Sequence, residues 1–231
     1  MPAEAIVLAG GKGTRLQSVI SNIPKPMAPV ANKPFLTYIL EQICATEIVD
    51  VKLSVGYKYD VIRSYFGSRY KHLHLGYVVE NEPLGTGGGI RLAAESCSSN
   101  TLLICNGDTF FGIDIERFIN QHVSHNNGMT IALKHMEMVN RYGMVEIEDF
   151  RVLGFTEKSN DLKSGWINGG LYALDRNVFL NNTKPGQFSM ELDFMEKMVG
   201  EIKIEGFKSE DYFIDIGIPE DYQKANEYFG K

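Results

Sequence analysis

Four stretches of the 231-residue sequence carry residue types that could act together on phosphate. The first, Leu8-Ala9-Gly10-Gly11-Lys12-Gly13-Thr14-Arg15-Leu16, places three glycines in four residues beside two cations. Glycine lets the backbone take positive φ and approach a ligand closely, and successive N–H groups in such a turn form a concave anion site. Arg15 adds a planar, permanently charged fork suited to phosphate oxygens. The second stretch, Pro24-Lys25-Pro26-Met27-Ala28-Pro29-Val30, has three prolines in six residues and predicts an extended, stiff loop. Lys25 is held there with little backbone freedom, which is useful for a phosphate and wasted on a solvated surface. The other two, Asn106-Gly107-Asp108 and Phe213-Ile214-Asp215-Ile216-Gly217, each put an aspartate after an apolar run. A pair of carboxylates suits Mg²⁺, which prefers oxygen ligands and keeps water and phosphate in its shell. The plain alternatives are an Asx turn for Asp108 and a helix-entry residue for Asp215.

Two familiar phosphate templates fail on the glycine turn. A dinucleotide fingerprint needs Gly-x-Gly-x-x-Gly; Gly11 and Gly13 fit, but Leu16 stands at the third position. A P-loop needs Gly-Lys-Ser/Thr after a four-residue gap, and the chain has no such string. The turn alone therefore supports a phosphate site and nothing narrower.

These residues need elements to hold them. Ala5 to Ala9 is a short apolar run stopped by glycines, which reads as a strand buried on both faces of a parallel sheet. A helix follows at Phe35 to Ala45, a strand at Val51 to Val55, a helix at Tyr59 to Phe66 and a strand at Leu75 to Val79. Gly85 opens another helix, and Thr101 to Cys105 is a fourth buried strand. Alternation of this kind predicts a doubly wound α/β fold, with Asp108 at the carboxyl end of a parallel strand, where such folds bind ligands. After Gly128 come short strands at Met129 to Leu133, Met144 to Ile147, Val152 to Phe155 and Leu171 to Leu174, which predict mixed or antiparallel sheet. Helices at Met190 to Met198 and Pro219 to Tyr228 complete a single domain over 1–231, whose second half, from about residue 129, supplies a small substrate lobe.

Composition bounds the function. Apolar residues make up 44% and charged residues 23%, as in an ordinary globular protein. A net charge of −6 argues against nucleic acid as a partner. Cys44, Cys97 and Cys105 are odd in number and lack a Cys-x-x-Cys pair, so neither a disulfide framework nor a zinc site is expected. The apolar run at the N-terminus is too short for a signal segment, and no run is long enough to span a membrane, so a cytoplasmic enzyme is expected. The five histidines are scattered without ligand spacing, and Trp166 reads as a core residue. The sequence leaves the oligomeric state open, a homo-oligomer included.

Gly-Gly-x-Gly-Thr-Arg-Leu at Gly10 to Leu16, followed by Pro-Lys-Pro-Met-x-Pro-Val at Pro24 to Val30, resembles the sugar-1-phosphate nucleotidyltransferase family. The resemblance spans nearly the whole chain. It implies a Rossmann-like mixed sheet of the nucleotide-diphospho-sugar transferase type, with residues 1–128 mainly binding nucleotide and 129–231 mainly binding sugar phosphate. It implies that Leu8, Ala9, Gly10, Gly11, Gly13, Thr14, Arg15 and Lys25 wrap a nucleoside triphosphate, with Arg15 and Lys25 catalytic. It carries Asn106, Gly107 and Asp108 to the nucleotide, and Mg²⁺ to Asp108 and Asp215. The same resemblance places Gly143, Glu157, Lys158, Asn168, Gly169, Gly170 and Glu191 around the sugar 1-phosphate. One departure stands at Ser18, where the family often has proline; no charged group is lost.

The segment Glu80-Asn81-Glu82-Pro83-Leu84-Gly85-Thr86-Gly87-Gly88 is similar to the base-binding segment of the family's guanylyltransferases. The chemistry agrees. Guanine presents two adjacent donors, N1–H and the exocyclic amine, and a carboxylate accepts both; uracil and thymine are better matched by an amide. Glu80 is the expected guanine reader, with Asn81, Pro83, Gly85 and Thr86 beside the nucleotide. Within that branch the resemblance runs to the short enzymes acting on D-glycero-α-D-manno-heptose 1-phosphate, then to those acting on mannose 1-phosphate, then to uridylyl- and thymidylyltransferases. A catalytically silent sugar-nucleotide-binding regulatory subunit would have lost Arg15, Lys25 or an aspartate, and none is lost. A cytidylyltransferase for an alcohol phosphate shares the N-terminal motifs, but Glu80 and Asn168-Gly169-Gly170 argue against it.

Overall fold

The computed structural model describes residues 3–11, 13, 16, 23–139, 142–156 and 164–231. In chain order its first elements are β1 (Glu4–Leu8), a 3-10 turn (Lys25–Met27), β2 (Pro29–Val30), β3 (Lys33–Pro34), α1 (Phe35–Cys44), β4 (Asp50–Val55), α2 (Tyr59–Phe66), β5 (Arg69–Tyr70) and β6 (Leu73–Val79). There follow α3 (Gly85–Glu95), β7 (Thr101–Asn106), β8 (Thr109–Phe111), α4 (Ile115–Ser124) and β9 (Met129–Met136). The remainder comprises β10 (Met144–Glu148), β11 (Arg151–Thr156), β12 (Gly165–Asp175), α5 (Arg176–Asn181), a π-helical turn (Met190–Met195), α6 (Glu196–Met198), β13 (Ile204–Ser209), β14 (Phe213–Asp215) and α7 (Pro219–Phe229).

Ten of the strands form one sheet in the order β10-β11-β13-β9-β12-β7-β1-β4-β6-β5. Its parallel part is β6-β4-β1-β7, and the inner strands β1 and β7, covered on both faces, carry the uninterrupted apolar runs. One face packs on α1, α2, α4 and α7 through Phe35, Ile39, Ile62, Phe118 and Ala225. The other packs on α3, α5 and the π-helical turn through Ile90, Ala94, Phe179 and Phe194. The chain moves outward from β1 to β4 and β6, then returns to the other side of β1 as β7. That reversal opens a crevice between the carboxyl ends of β1 and β7, where doubly wound sheets hold ligands. The Gly10 turn leaves one of those ends and Asn106-Gly107-Asp108 the other.

Several expectations need correction. Lys25 lies in a 3-10 turn and not in an extended loop. Pro24 is extended at φ −65° and ψ 146°, but Pro26 falls inside the turn, where its fixed φ is already helical. The strand expected at Leu171 to Leu174 runs from Gly165 to Asp175 and accommodates Gly169-Gly170 in an irregularity between Asn168 and Tyr172. The helix expected at Met190 to Met198 begins as a π-helical turn, with Met190 N–H donating to Thr86 Oγ1 at 2.8 Å. Two helices without a sequence reading, α4 and α5, are started by Asp114 and Asp175, whose side chains accept from Arg117 N and Val178 N. Among the described residues no helix is long and apolar enough to cross a membrane.

Candidate active site

The crevice at the carboxyl ends of β1 and β7 is a cleft of about 200 Å³ lined by Leu8, Gly11, Gly13, Lys25, Pro26, Asp108 and Gly217. Backbone pairing builds its walls. Gly107 N–H donates to Leu8 O at 2.8 Å, which ties the start of the Asn106-Gly107-Asp108 turn to the end of β1. β8 pairs antiparallel with β14, setting Asp215 opposite Thr109, and Ile216 N–H donates to Asp108 O at 3.0 Å. A two-stranded ribbon thus unites two aspartates far apart in the chain. Lys25 arrives from a third segment. The segment that follows its turn is held by Tyr38 Oη, which donates to Val30 O at 2.9 Å, and by Asn226 Oδ1, which accepts from Ala31 N at 2.9 Å.

Lys25 Nζ donates to Asp108 Oδ2 at 2.7 Å and to Asp215 Oδ1 at 3.2 Å. Its side chain is 9% exposed, against 37% for Asp108 and 27% for Asp215. Burial alone pulls the ammonium down; the carboxylates of Asp108 and then Asp215 outweigh it and hold it above the ordinary lysine value. The Asp215 carboxyl is raised by burial first and by the Asp108 charge second, against the pull of Lys25 and the N–H of Gly217. One ammonium between two carboxylates leaves a net charge of −1, so the cluster has room electrically for another cation. Its donors are carboxylate oxygens, the set that Mg²⁺ takes together with phosphate and water. No group of three or more metal-ligating side chains exists among the described residues, so a metal here would complete its shell with oxygens from water or substrate.

Gly13 has φ +60°, and a methyl carbon added to it would stand 2.8 Å from Lys25 Cβ. The glycine turn and the lysine turn are therefore in direct contact. Leu8 and Gly11 line the cleft, with Ala9, fully buried, and Gly10 between them. Glu80 sits behind Gly10, with Oε1 accepting from Ser54 Oγ at 2.9 Å and Oε2 from Leu84 N at 3.1 Å. Asn81, Pro83, Gly85 and Thr86 are exposed around the start of α3. Asn106 packs against Gly170 of β12, which has φ +71°. Asn168 donates through Nδ2 to Tyr172 Oη at 2.9 Å and accepts from Gly170 N at 2.9 Å, so its amide already shapes the irregularity in β12. Gly169 packs on the Phe111 ring and Gly143 on Thr156 O. Glu191 accepts from Thr86 Oγ1 and from Ser189 Oγ, both at 3.0 Å. Thr14, Arg15, Glu157 and Lys158 lie outside the described residues.

A protein-family model described as nucleotidyl transferase matches residues 4–231. The chain belongs to the nucleotidyl transferase family. This nucleotidyl transferase is 46% identical to the D-glycero-α-D-manno-heptose 1-phosphate guanylyltransferase of Aneurinibacillus thermoaerophilus, over 97% of each chain. It is 42% identical to the enzyme of the same name from Campylobacter jejuni, over 95% of this chain and 96% of that one. Among solved structures it resembles HddC from Yersinia pseudotuberculosis complexed with GMP-PN, with a TM-score of 0.86 and 37% identity over 98% of this chain and 99% of that one.

Sequence reasoning about the nucleotidyl transferase passed over three contributors. Ser54 is a fully buried hydroxyl between Leu53 and Val55 of β4, and its sequence position marks it as polar in a core strand without showing what it binds. Gly217 supplies the N–H that holds Asp215 Oδ1 at 2.8 Å, following from the two-residue spacing. The pairing of Thr86 with Glu191 joins two segments singled out separately, and nothing in their sequences links them.

Proposed function

We propose that this nucleotidyl transferase is a guanylyltransferase that moves GMP from GTP to D-glycero-α-D-manno-heptose 1-phosphate, forming GDP-heptose and releasing pyrophosphate. The observation that carries the reaction class is Lys25 held between Asp108 and Asp215 at the sheet's switch point. The choice of guanine and heptose rests on Glu80 and on the two relatives named above. The proposal treats the chain as one catalytic unit, with residues 1–128 mainly on the nucleotide and 129–231 mainly on the sugar phosphate. Its substrates place it in the cytoplasm.

The attacking sugar-phosphate oxygen is already an anion, so no strong general base is needed. It forms a bond to the α-phosphorus while the bond from that phosphorus to the bridging oxygen breaks, and pyrophosphate leaves. Catalysis is then alignment and charge neutralisation. Gly11 to Arg15 hold the β and γ phosphates with backbone N–H groups and the Arg15 guanidinium. Lys25 places positive charge on the α-phosphate as its charge rises. Asp108 and Asp215 are the residues that would hold Mg²⁺, which supplies further positive charge to the phosphates when bound. On the sugar side, Lys158 meets the phosphate, and Glu157, Asn168 and Glu191 meet hydroxyls; Gly143, Gly169 and Gly170 allow close approach.

Pyrophosphate release tests this across GTP, ATP, CTP, UTP and dTTP, each with heptose, mannose and glucose 1-phosphates and with choline phosphate. The expected result is highest kcat/KM for GTP with D-glycero-α-D-manno-heptose 1-phosphate. Activity with CTP and choline phosphate but not with GTP would overturn the proposal.

A further inference from the structure

The Glu80 carboxylate is gripped from two sides inside the protein. Ser54 Oγ reaches Oε1 from the end of β4, and Leu84 N–H reaches Oε2 from the residue before α3. Leu53 and Val55, the neighbours of Ser54, belong to the core on the opposite face of the sheet, so Ser54 projects under α3. It has no exposed surface. Backbone packs close on the Oε1 side, while the residue as a whole stays half-buried. A methyl carbon at Gly89 would stand 2.8 Å from Glu80 Oε1 and 3.0 Å from Ser54 Oγ, and one at Gly10 would stand 3.2 Å from the same Oε1.

Each carboxylate oxygen can accept two hydrogen bonds, so each keeps one acceptor position after the protein contacts are made. The terminal torsion of a glutamate is broad, and a carboxylate left alone turns about it. Two donors on different oxygens remove that freedom. We propose that Ser54 is a positioning residue for base selection: with Leu84 N–H it fixes the plane in which Glu80 meets the N1–H and 2-amino group of guanine. This rests on Glu80 as guanine reader and assigns a new role to a residue that does not touch the base. Alanine would fill the same space without the donor, so the hydroxyl and not its volume carries the effect.

The test compares kcat/KM for GTP with that for inosine triphosphate, which keeps N1–H but lacks the 2-amino group, in the wild type, Ser54→Ala and Glu80→Gln. The wild type should prefer GTP by about tenfold or more, the strength of a hydrogen bond to a charged acceptor. Ser54→Ala should bring that preference below about threefold through a higher KM for GTP, since an unfixed carboxylate loses the second contact first. The KM for the sugar 1-phosphate should stay near its wild-type value. A residue that only supports the fold would lower the melting temperature without moving the GTP-to-ITP ratio. An unchanged ratio in Ser54→Ala overturns the positioning role. If only Ser54→Ala keeps the ratio, Glu80 remains the reader; if Glu80→Gln keeps it too, the reading of Glu80 falls. Should Ser54→Ala not fold, Ser54→Cys, a weaker donor, carries the same comparison: a reduced ratio supports the role and an unchanged one overturns it.

Discussion

Replacing Lys25 with methionine separates two jobs that one ammonium performs. In the absence of metal, Lys25 is the charge that keeps Asp108 and Asp215 together, at 2.7 Å and 3.2 Å from its Nζ. Removing one partner of a buried ion pair costs about 3–5 kcal/mol. Asp108 is more than a third exposed, so water screens part of that loss, and about 2–3 kcal/mol is expected. For a chain of this length that lowers the melting temperature by roughly 5–10 °C. Millimolar Mg²⁺ should return most of it, because a cation again lies between the carboxylates. Turnover should behave differently. An ammonium placed on charge that develops at the α-phosphate contributes about 10²–10³ in kcat, as other preorganised donors do. Mg²⁺ cannot replace it there. Melting curves in EDTA and in Mg²⁺, beside pyrophosphate release at saturating substrates and Mg²⁺, give both numbers. The reasoning is refuted if Mg²⁺ restores turnover along with stability, for then Lys25 only keeps the metal's place.

Glu80→Gln should shift preference from GTP toward xanthosine triphosphate, whose base offers N1–H beside a carbonyl; the amide oxygen stays on Leu84 N–H and the NH₂ turns to Ser54, whose hydroxyl can accept. Initial rates with the two triphosphates check this, and no gain for XTP counts against Glu80. Asp215→Asn should melt at or above the wild type in EDTA while losing stabilisation by Mg²⁺. The Asp215 carboxyl is raised by burial and by Asp108, so its contribution favours the fold below its ordinary value of 3.8 and is lost as pH rises through the higher folded value. His122 is lowered from 6.5 to about 4, mainly by burial, and hydrogen-bonds Thr130 at 3.1 Å. The unfolded chain takes up that proton first, so stability falls by about 3 kcal/mol as pH drops from 6.5 to 4. A pH series of melting curves should show the slope, and His122→Asn should flatten it.

The parallel strands were readable because a strand covered on both faces needs an unbroken apolar run, as at Ala5 to Ala9 and Thr101 to Cys105. α2 matches its expected bounds because Ile62 and Phe66 recur at helical spacing and Gly67 ends it at φ +62°. The later strands were readable only in their apolar centres. β12 extends over eleven residues, and its polar and glycine-containing half reads as loop until β9 and β10 are seen beside it. At the site, single residues of rigid type were legible: Lys25 among prolines, and Asp108 after a buried strand. Their mutual distances were not, because Asp215 reaches Asp108 only through the pairing of β8 with β14. Ser54 was overlooked for the opposite reason: one serine in an apolar strand carries no sign of its partner until β6 and α3 are placed over it.

The long strand β12 also has a bearing on how the chain is made. Thr101 to Asn106 pairs on one side with β1, which leaves the ribosome early, and on the other with Leu171 to Asp175. Roughly 65 further residues, several seconds of synthesis, separate the appearance of β7 from the strand that covers its other edge. During that interval an apolar strand edge stands open in the nascent chain, of the kind that recruits neighbouring polypeptides. Polypeptides released between residues 128 and 170 should therefore collect in insoluble material, and supplying 129–231 as a separate fragment should rescue them by closing that edge.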